Sequence, residues 1–256
     1  MLHHHLFSLT IVAVLALLSS AAPNQPTLVN LRIEGSANTI FEGTIVTTGH
    51  NVTTASGGNH HCDGTNNNGN PLPGPTCTSA LDDASKLPSN LFSFDGQVRY
   101  FTLHNMMANN PFVGNRYSTF SAEFDDFFIT SIGGVTQTST QFWGILLNFE
   151  FTQVGGCQQE VNANDEILFA FDAFNANAFL KLTGPATARI NKMFFVTVTD
   201  AQTGKPVAGA AVSFGISDAN GNVPFNLGFT RIGVQKFKAT KPGAIRSNEI
   251  TIVVSA

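Results

Sequence analysis

The feature that most constrains the fold is a run of alternating apolar residues that begins at Trp143. Every second residue of this run is large and apolar: Trp143, Ile145, Leu147, Phe149 and Phe151. Successive side chains of a strand point to opposite faces, so this alternation predicts a half-buried β-strand. Residues 166–171 repeat the pattern, and the Gly- and Asn-rich segments 154–156 and 162–165 between the two runs are typical of turns. The simplest structure that satisfies this pattern is an antiparallel sheet with an aromatic core.

The same stretch resembles a known family of domains. Trp143, Leu147-Asn148, Val154-Gly155 and the segment 164–169 are similar to the carboxy-terminal domain of transcobalamin and intrinsic factor. They are closer still to the uncharacterised secreted domains grouped with it. The resemblance implies a small β-grasp fold, in which a mixed sheet grips one helix, and it extends less specifically over residues 27–182. In the vitamin carriers the domain closes over cobalamin held by a helical barrel, which this chain lacks, so cobalamin carriage is not implied.

The chain departs from the family pattern at two turns. Phe149 stands where the family has a turn glycine, and Asn164 stands where it has a second glycine. Asn adopts a positive φ angle readily, whereas Phe does so at a cost. We therefore expect the hairpin near residue 149 to be longer than the family turn or to have a different shape.

Composition excludes one class of partner. The 256 residues carry a net charge of −4, and only 12% of them are charged. Nucleic-acid binding needs clustered Lys and Arg, which the sequence lacks. The abundant Phe, with Asn, Thr and Gly in the loops, is typical of a β-rich extracellular protein.

The amino terminus predicts secretion. A mostly apolar run from Leu6 to Leu18 is followed by small residues up to Ala22. A run of this length is too short to span a bilayer comfortably and is typical of a signal peptide. We expect residues 1–22 to be removed, and the mature chain to be soluble and secreted without a membrane span.

The sequence has three cysteines, Cys62, Cys77 and Cys157, and secretion permits a disulfide. A Cys62–Cys77 bond would staple the loop between them, and a Cys62–Cys157 bond would tie that loop to the central sheet. The sequences that this chain resembles more often have counterparts of Cys62 and Cys157, so the resemblance favours that pair. Asn51 begins the single glycosylation triplet, although a strand position would block its use.

Before the central stretch, the sequence predicts a hairpin and one helix. Segments Thr27–Ile33 and Thr39–Thr48 indicate the two strands. Segment Thr78–Leu87 predicts a helix with Ser79 as its cap, and this is the candidate for the gripped helix. Asp82 and Asp83 are expected in its first turn, where carboxylates complement the helix dipole.

Segment Gly57–Pro75 has the composition of a loop and contains the weak candidates for a metal site. His60, His61 and Asp63 are ligand types, but neighbouring residues rarely chelate one ion together. A pattern that starts at Asp63 vaguely resembles a calcium loop, but its glycine is one residue late and no closing glutamate follows. We therefore expect neither a metal nor another cofactor.

The candidate ligand-binding residues are Trp143, Phe142, Asp125 and Asp126. An aromatic surface at Trp143 and Phe142 would stack on a ligand or glycan. Asp125 and Asp126 would contact a polar ligand or order the edge of the sheet. A pair of carboxylates also suggests a glycosidase, but adjacent residues do not place two carboxylates across a sugar bond.

After Thr183-Gly184-Pro185 the pattern changes to short strands at regular spacing, with an Asn-Gly turn at 220–221. This pattern is typical of a β-sandwich, and residues 186–256 resemble the immunoglobulin-like and prealbumin-like modules of secreted surface proteins. We therefore predict a mainly β chain in which residues 23–183 form an α+β domain of β-grasp type and residues 184–256 form the sandwich.

The function expected from these features is non-catalytic binding or adhesion outside the cell, with an unidentified ligand or surface as the partner. The alternatives are a structural, cell-wall-associated protein without a small ligand and, less favoured, a secreted hydrolase that uses the Asp125–Asp126 region.

Overall fold

The computed structural model describes residues 24–88, 92, 94 and 120–256. The fold is mainly β, as predicted, and the described residues contain one α-helix. The expected signal peptide lies outside the described residues. Within residues 24–88 and 120–256, no helix has the length and hydropathy needed to cross a membrane.

The described residues of the first module form one helix and eleven strands. The helix, α1, spans Cys77–Lys86. The strands are β1 (Thr27–Glu34), β2 (Thr39–Thr47), β3 (His50–Thr54), β4 (Gly58–Cys62), β5 (Phe120–Ser121), β6 (Asp126–Phe127), β7 (Ser131–Ile132), β8 (Val135–Thr136), β9 (Trp143–Leu147), β10 (Glu150–Phe151) and β11 (Glu166–Phe171). Short 3₁₀ turns lie at Asn66–Asn68 and Ala173–Asn175.

Five of these strands form the central sheet in the order β10-β9-β11-β1-β2. β1 and β11 are parallel, and the other neighbours are antiparallel. The sheet is therefore mixed, as the β-grasp resemblance implies. The sequence pattern suggested an antiparallel sheet from the two apolar runs, and the strands of those runs, β9 and β11, do pair antiparallel. The sheet as a whole is mixed because β1 lies parallel to β11, and the pattern within a strand does not indicate its direction.

Helix α1 covers one face of the sheet. It packs against β1, β2 and β3, and its residues Ala80, Leu81 and Ala84 are fully buried. Its N-cap is Thr76, whose hydroxyl accepts from the Ser79 backbone N–H while the Ser79 side chain accepts from the Thr76 N–H. Ser79 is therefore the reciprocal partner of the cap and not the cap itself.

Neither aspartate of α1 lies in the first helical turn, so the expected dipole role of Asp82 and Asp83 was wrong. Both fall in the second turn. Asp82 is buried, and it pairs with His50 and Lys86.

The hairpin at Phe149 differs from the expectation. Leu147 pairs with Glu150, so Asn148 and Phe149 alone form the turn. Both have positive φ, 51° and 68°, which is the two-residue hairpin geometry that normally takes Asn-Gly. The expected longer turn was wrong, because burial of the Phe149 ring (7% exposed) offsets the cost of its backbone conformation. Asn164, with φ of 70°, takes the positive φ expected there.

Part of the expected loop 57–75 is a strand. β3 and β4 form an antiparallel hairpin in which His50 pairs with Cys62 and Asn51 pairs with His61. Val52 and Thr54, which alternate along β3, are buried. These two side chains pack one face of the hairpin against the module, so the mainly polar sequence can form a strand there.

The second module is assembled from short strands, as the sequence predicted. They are β12 (Leu180–Thr183), β13 (Thr187–Arg189), β14 (Met193–Asp200), β15 (Ala211–Val212), β16 (Gly215–Ile216), β17 (Asn222–Asn226), β18 (Gly233–Phe237), β19 (Ala239–Thr240) and β20 (Ile250–Ser255). They form the sheets β12-β14-β17, β13-β20-β18 and β16-β15-β19, and a 3₁₀ turn lies at Phe229–Arg231. The shared core includes Leu182, Val196, Val223, Phe225 and Ile252.

The predicted boundary between residues 183 and 184 falls at the end of a strand of the second module. β12 pairs with β14, so Leu180–Thr183 contributes to the second module's sheet. A separate apolar cluster joins the two modules, since Phe149, Leu168 and Ala170 of the first pack with Phe179 and Ile245. The second module thus covers the face of the central sheet opposite α1.

Candidate functional site

Trp143 lies in the core of the first module. Its side chain is 6% exposed, its ring meets the Phe171 ring edge-on at 5.5 Å, and its Nε1 donates to the Val135 carbonyl at 3.1 Å. A buried ring with a satisfied N–H offers no open face to a ligand. Trp143 therefore does not provide the stacking surface that the sequence predicted for Trp143 and Phe142. Phe142 is half-buried and would have to contact a ligand without the Trp143 ring beside it.

Asp126 is a buried carboxylate that organises the backbone around it. It is 4% exposed, and its oxygens accept from the N–H groups of Phe127 at 2.7 Å and Cys157 at 2.9 Å. Burial raises the pKa of Asp126 from 3.8 to about 6, and these N–H donors oppose the rise. Asp126 thus orders the loops beneath the surface.

Asp125 sits beside it but faces elsewhere. Its φ of 49° turns the chain, and its Oδ2 accepts from the Asn67 N–H at 2.8 Å. The same oxygen lies 3.3 Å from His61 Nε2. Each carboxylate of the pair is therefore engaged by protein groups, and the two are not arranged on opposite sides of a shared cleft.

Three loops converge on these residues. Asn66 Nδ2 donates to the Asp125 carbonyl at 2.7 Å, and Gln158 Nε2 donates to the Phe124 carbonyl at 2.8 Å. The Cys62–Cys157 disulfide joins two of the loops covalently. Loop segments 63–70, 122–128 and 153–160 are therefore one connected unit.

Gly155 is required where the loops meet. A Cβ at this position would lie 2.2 Å from Asp126 Oδ2, which is far inside van der Waals contact. The backbone of residue 155 can approach the buried carboxylate only because it has no side chain. This contact explains why residue 155 of this chain is a glycine.

The surface of this unit is an open groove of about 440 Å³, which we call the Phe124 groove. Its lining residues are Asn67, Ser121, Phe124, Asp126, Phe127, Phe128, Thr152, Gln153, Val154, Gly155 and Gln158. Phe124, Phe128 and Val154 are exposed at 60%, 55% and 44%. The rest of the described lining is mainly amide and hydroxyl groups, and among these described residues there is no Lys, Arg or His.

Sequence reasoning missed the exposed rings of this groove. Phe124 and Phe128 flank the Asp125–Asp126 pair in the segment Phe-Asp-Asp-Phe-Phe, and the prediction placed the aromatic surface at Trp143 instead. The sequence did contain a signal for an exposed aromatic surface, since Phe124 and Phe128 lie on either side of a polar turn. Of the predicted residues, the structure brings Asp126 into the groove and Asp125 to its supporting loops, but leaves Trp143 in the core.

The weak metal candidates on β4 are not brought together. The His60 ring stacks on Phe120 at 3.5 Å, whereas His61 faces Asp125. Asp63 Oδ1 accepts from the Thr65 hydroxyl at 2.6 Å. Neighbouring strand residues point to opposite faces, so His60 and His61 diverge.

The favoured disulfide is present. Cys62 and Cys157 are bonded, with a sequence separation of 95 residues. Cys77 is a free, fully buried thiol whose pKa is raised by burial. Asn51 lies within β3, with an exposed side chain.

The comparisons with known proteins bear on the segment that carries this site. Neither the comparison with curated proteins nor that with solved structures found a match. The model of a family described as a domain of unknown function (DUF4430) matches residues 102–173. This family is linked to transcobalamin-like domains. The chain is thus similar to that family over strands β9, β10 and β11 and two of the three loops of the Phe124 groove, segments 122–128 and 153–160.

Proposed function

We propose that this chain is a secreted, non-catalytic binding protein, and that the Phe124 groove holds a neutral polar ligand of the carbohydrate class. The observation that carries the proposal is the pairing of two exposed aromatic rings, Phe124 and Phe128, with a lining of amides and hydroxyls. A sugar has the same dual character, because its ring presents an apolar C–H face and a rim of hydroxyl groups.

The exposed rings are the first part of the argument. Leaving a Phe side chain in water forgoes about 1.5–3 kcal/mol that burial would provide. Two such rings on either side of one short turn, with Val154 beside them, make an apolar patch with a polar surround. Patches of this kind are typical of binding sites.

The lining gives the second part. Ligand pockets combine apolar walls with a few placed polar groups that fix orientation. Asn67, Gln153 and Gln158 supply amides, and Ser121 and Thr152 supply hydroxyls. Among the described lining residues there is no cation, and their one carboxylate, Asp126, is buried, which disfavours a strongly charged ligand.

An extracellular setting agrees with this proposal. Disulfides persist in oxidising compartments, and the chain has the Cys62–Cys157 bond. The apolar run at Leu6–Leu18 predicts export.

The test is titration calorimetry of the full chain with a panel of soluble neutral oligosaccharides, supported by saturation-transfer NMR. The double variant Phe124→Ala/Phe128→Ala should weaken binding at least ~10-fold, equivalent to about 1.4 kcal/mol. Phe229→Ala is the matched control, because Phe229 is 70% exposed but lies in the second module. Equal affinity of the double variant and the native chain would overturn the assignment, as would failure of every neutral sugar to bind.

One observation favours surface attachment as a second candidate function, which corresponds to the structural, cell-wall-associated alternative. The second module exposes Met193 and Phe195 on β14, at 66% and 52%, and Ile216 on β16, at 61%. If this face attaches the protein to a surface, Phe195→Ser should lower retention on insoluble cell-wall material. The Phe124→Ala/Phe128→Ala variant, in which the second module is unchanged, should be retained on the cell-wall material as well as the native chain.

A further inference from the structure

A second cluster of polar side chains lies away from the Phe124 groove, where β3 meets α1. His50 begins β3, and its Nε2 lies 2.8 Å from Asp82 Oδ2 and 3.8 Å from Asp83 Oδ1. One ligand atom from each of these three residues lies within 4.8 Å of the other two. The fold therefore joins an imidazole from a hairpin to two carboxylates from a helix.

The imidazole is held in one orientation from outside the cluster. His50 Nδ1 lies 2.8 Å from the Thr48 carbonyl oxygen, which can only accept a hydrogen bond. Nδ1 therefore carries a hydrogen, and Nε2 is the nitrogen directed at the carboxylates. Metal-binding histidines are oriented in this way, with the second ring N–H donated to a carbonyl or carboxylate.

Helix α1 carries one carboxylate that is buried and one that is partly exposed. Asp82 is only 2% exposed, and the side chain of Asp83 is 28% exposed. Buried aspartates are rare unless they are paired or bind a metal.

We propose that His50, Asp82 and Asp83 form a binding site for a divalent transition metal of the Zn²⁺ class, with water in the remaining position. Ligand atoms about 2.1 Å from a tetrahedral zinc lie about 3.4 Å apart. The two nitrogen–oxygen separations, 2.8 and 3.8 Å, bracket that distance. The third separation, between the two carboxylate oxygens, is no more than 4.8 Å.

The ligand types select the metal. An imidazole ligand suits zinc, copper and nickel, whereas calcium takes six to eight oxygen ligands and magnesium keeps several waters. One histidine and two carboxylates are three protein ligands, the number found in zinc sites that retain an open position.

Lys86 is the competing cation. Its Nζ contacts Asp82 Oδ2, the oxygen that also faces His50. The Lys86 side chain is 55% exposed, so it can turn to solvent when a metal binds. A divalent ion would then replace two single positive charges, the ammonium group and the proton on His50 Nε2, and the charge of the cluster would be conserved.

The first test is Zn²⁺ titration of the chelator-treated mature chain by calorimetry. We expect His50→Gln and Asp83→Asn each to weaken the binding at this site at least ~10-fold. His61→Gln is the matched control, because His61 lies on the adjoining strand and pairs with Asp125. The protein titrated is the mature chain that remains after the predicted removal of residues 1–22, so His3, His4 and His5 bind no zinc in any titration.

Several outcomes would overturn the site. These are unchanged zinc binding by the His50→Gln and Asp83→Asn variants, an equal loss in His61→Gln, and preference for Mg²⁺ or Ca²⁺ over Zn²⁺. Near-UV circular dichroism of each variant verifies that the core around Trp143 is intact.

A second measurement needs no variant. X-ray absorption of the native chain with one equivalent of Zn²⁺ should show one imidazole and otherwise oxygen ligands. A spectrum with two or more imidazoles, or with sulfur, would assign the metal elsewhere and overturn the proposal.

Discussion

Glu34 and Arg246 form an ion pair that links the two modules, with Arg246 Nε 2.8 Å from Glu34 Oε2. Glu34 ends β1 and is 1% exposed, whereas Arg246 precedes β20 in the second module. The other carboxylate oxygen of Glu34 lies 2.8 Å from Lys238 Nζ. The second module therefore supplies two cations to one buried carboxylate on the first.

Removing the charge of Glu34 should destabilise the protein. In Glu34→Gln, Arg246 loses its carboxylate partner, whereas Lys238 keeps its second partner, Glu42. Breaking a buried pair typically costs about 3–5 kcal/mol. Urea denaturation followed by the fluorescence of Trp143 measures the change. Glu249→Gln is the control, because it pairs with the exposed Lys236 and should leave the free energy of unfolding unchanged. Equal effects of the two variants would contradict the role of the buried pair.

Phe149 should stabilise the folded chain more than a glycine at the same position would, despite its positive φ. Phe149→Gly relieves about 1–2 kcal/mol of backbone strain but forfeits the packing of a buried ring, which costs about 3–5 kcal/mol. The net expectation is a loss of about 2 kcal/mol in the free energy of unfolding. Asn164→Gly, at an exposed position with φ of 70°, should be close to neutral. A Phe149→Gly variant as stable as the native chain would contradict the packing argument.

Loss of the Cys62–Cys157 disulfide should lower stability by about 4–5 kcal/mol, because the bond closes a loop of 95 residues in the unfolded chain. The comparison is Cys62→Ala/Cys157→Ala against the native chain in urea. Cys77→Ala, which removes a buried thiol but no cross-link, should cost less.

Intact mass should rise by two hydrogens on reduction, and Cys77 should react with an alkylating reagent only after unfolding. Rapid alkylation of the folded chain would place Cys77 at the surface.

Gly155→Ala should damage the Phe124 groove selectively. The new Cβ would overlap the buried Asp126 carboxylate, so the loop or the carboxylate must move. We expect ligand affinity to fall at least as much as in the Phe124→Ala/Phe128→Ala variant, together with amide shifts at residues 125–127 and 155–158 in NMR spectra. Gly228→Ala is the matched control, because a Cβ there meets open space and its φ is −85°, so the added methyl causes neither a clash nor backbone strain. If Gly155→Ala bound the ligand as tightly as the native chain, the packing of residue 155 against Asp126 would not be needed for binding in the groove.

The buried carboxyl of Asp126 should make stability depend on pH. Its pKa is about 6 in the folded chain and 3.8 as the reference value, so between these values the folded state binds more protons than the unfolded state. Its contribution is therefore fully present below about pH 4 and is lost as pH rises through about 6, by roughly 3 kcal/mol in total. The measurement is the difference in unfolding free energy between the native chain and Asp126→Asn across this range. A carboxyl titration below 3.8 in NMR spectra would mean that the N–H donors outweigh burial.

Local pattern was sufficient for much of the architecture. Strict alternation from Trp143 and in residues 166–171 identified β9 and β11, because side chains of a strand take the two faces in turn. The helix was placed within one residue at each end, since Pro88 stops it and the apolar positions share a face. The regular spacing of turns likewise predicted the strands of the second module.

Tertiary structure alone decided what each of these elements does. Phe149 takes a glycine conformation because the second module buries its ring, and Trp143 is unavailable to a ligand because β11 and β8 enclose it. His50 and Asp82 are 32 residues apart in sequence yet 2.8 Å apart in space. A sequence records which side chains prefer burial or charge. Only the packing of distant segments determines which of them meet, because desolvation and ion pairing depend on neighbours that local pattern does not specify.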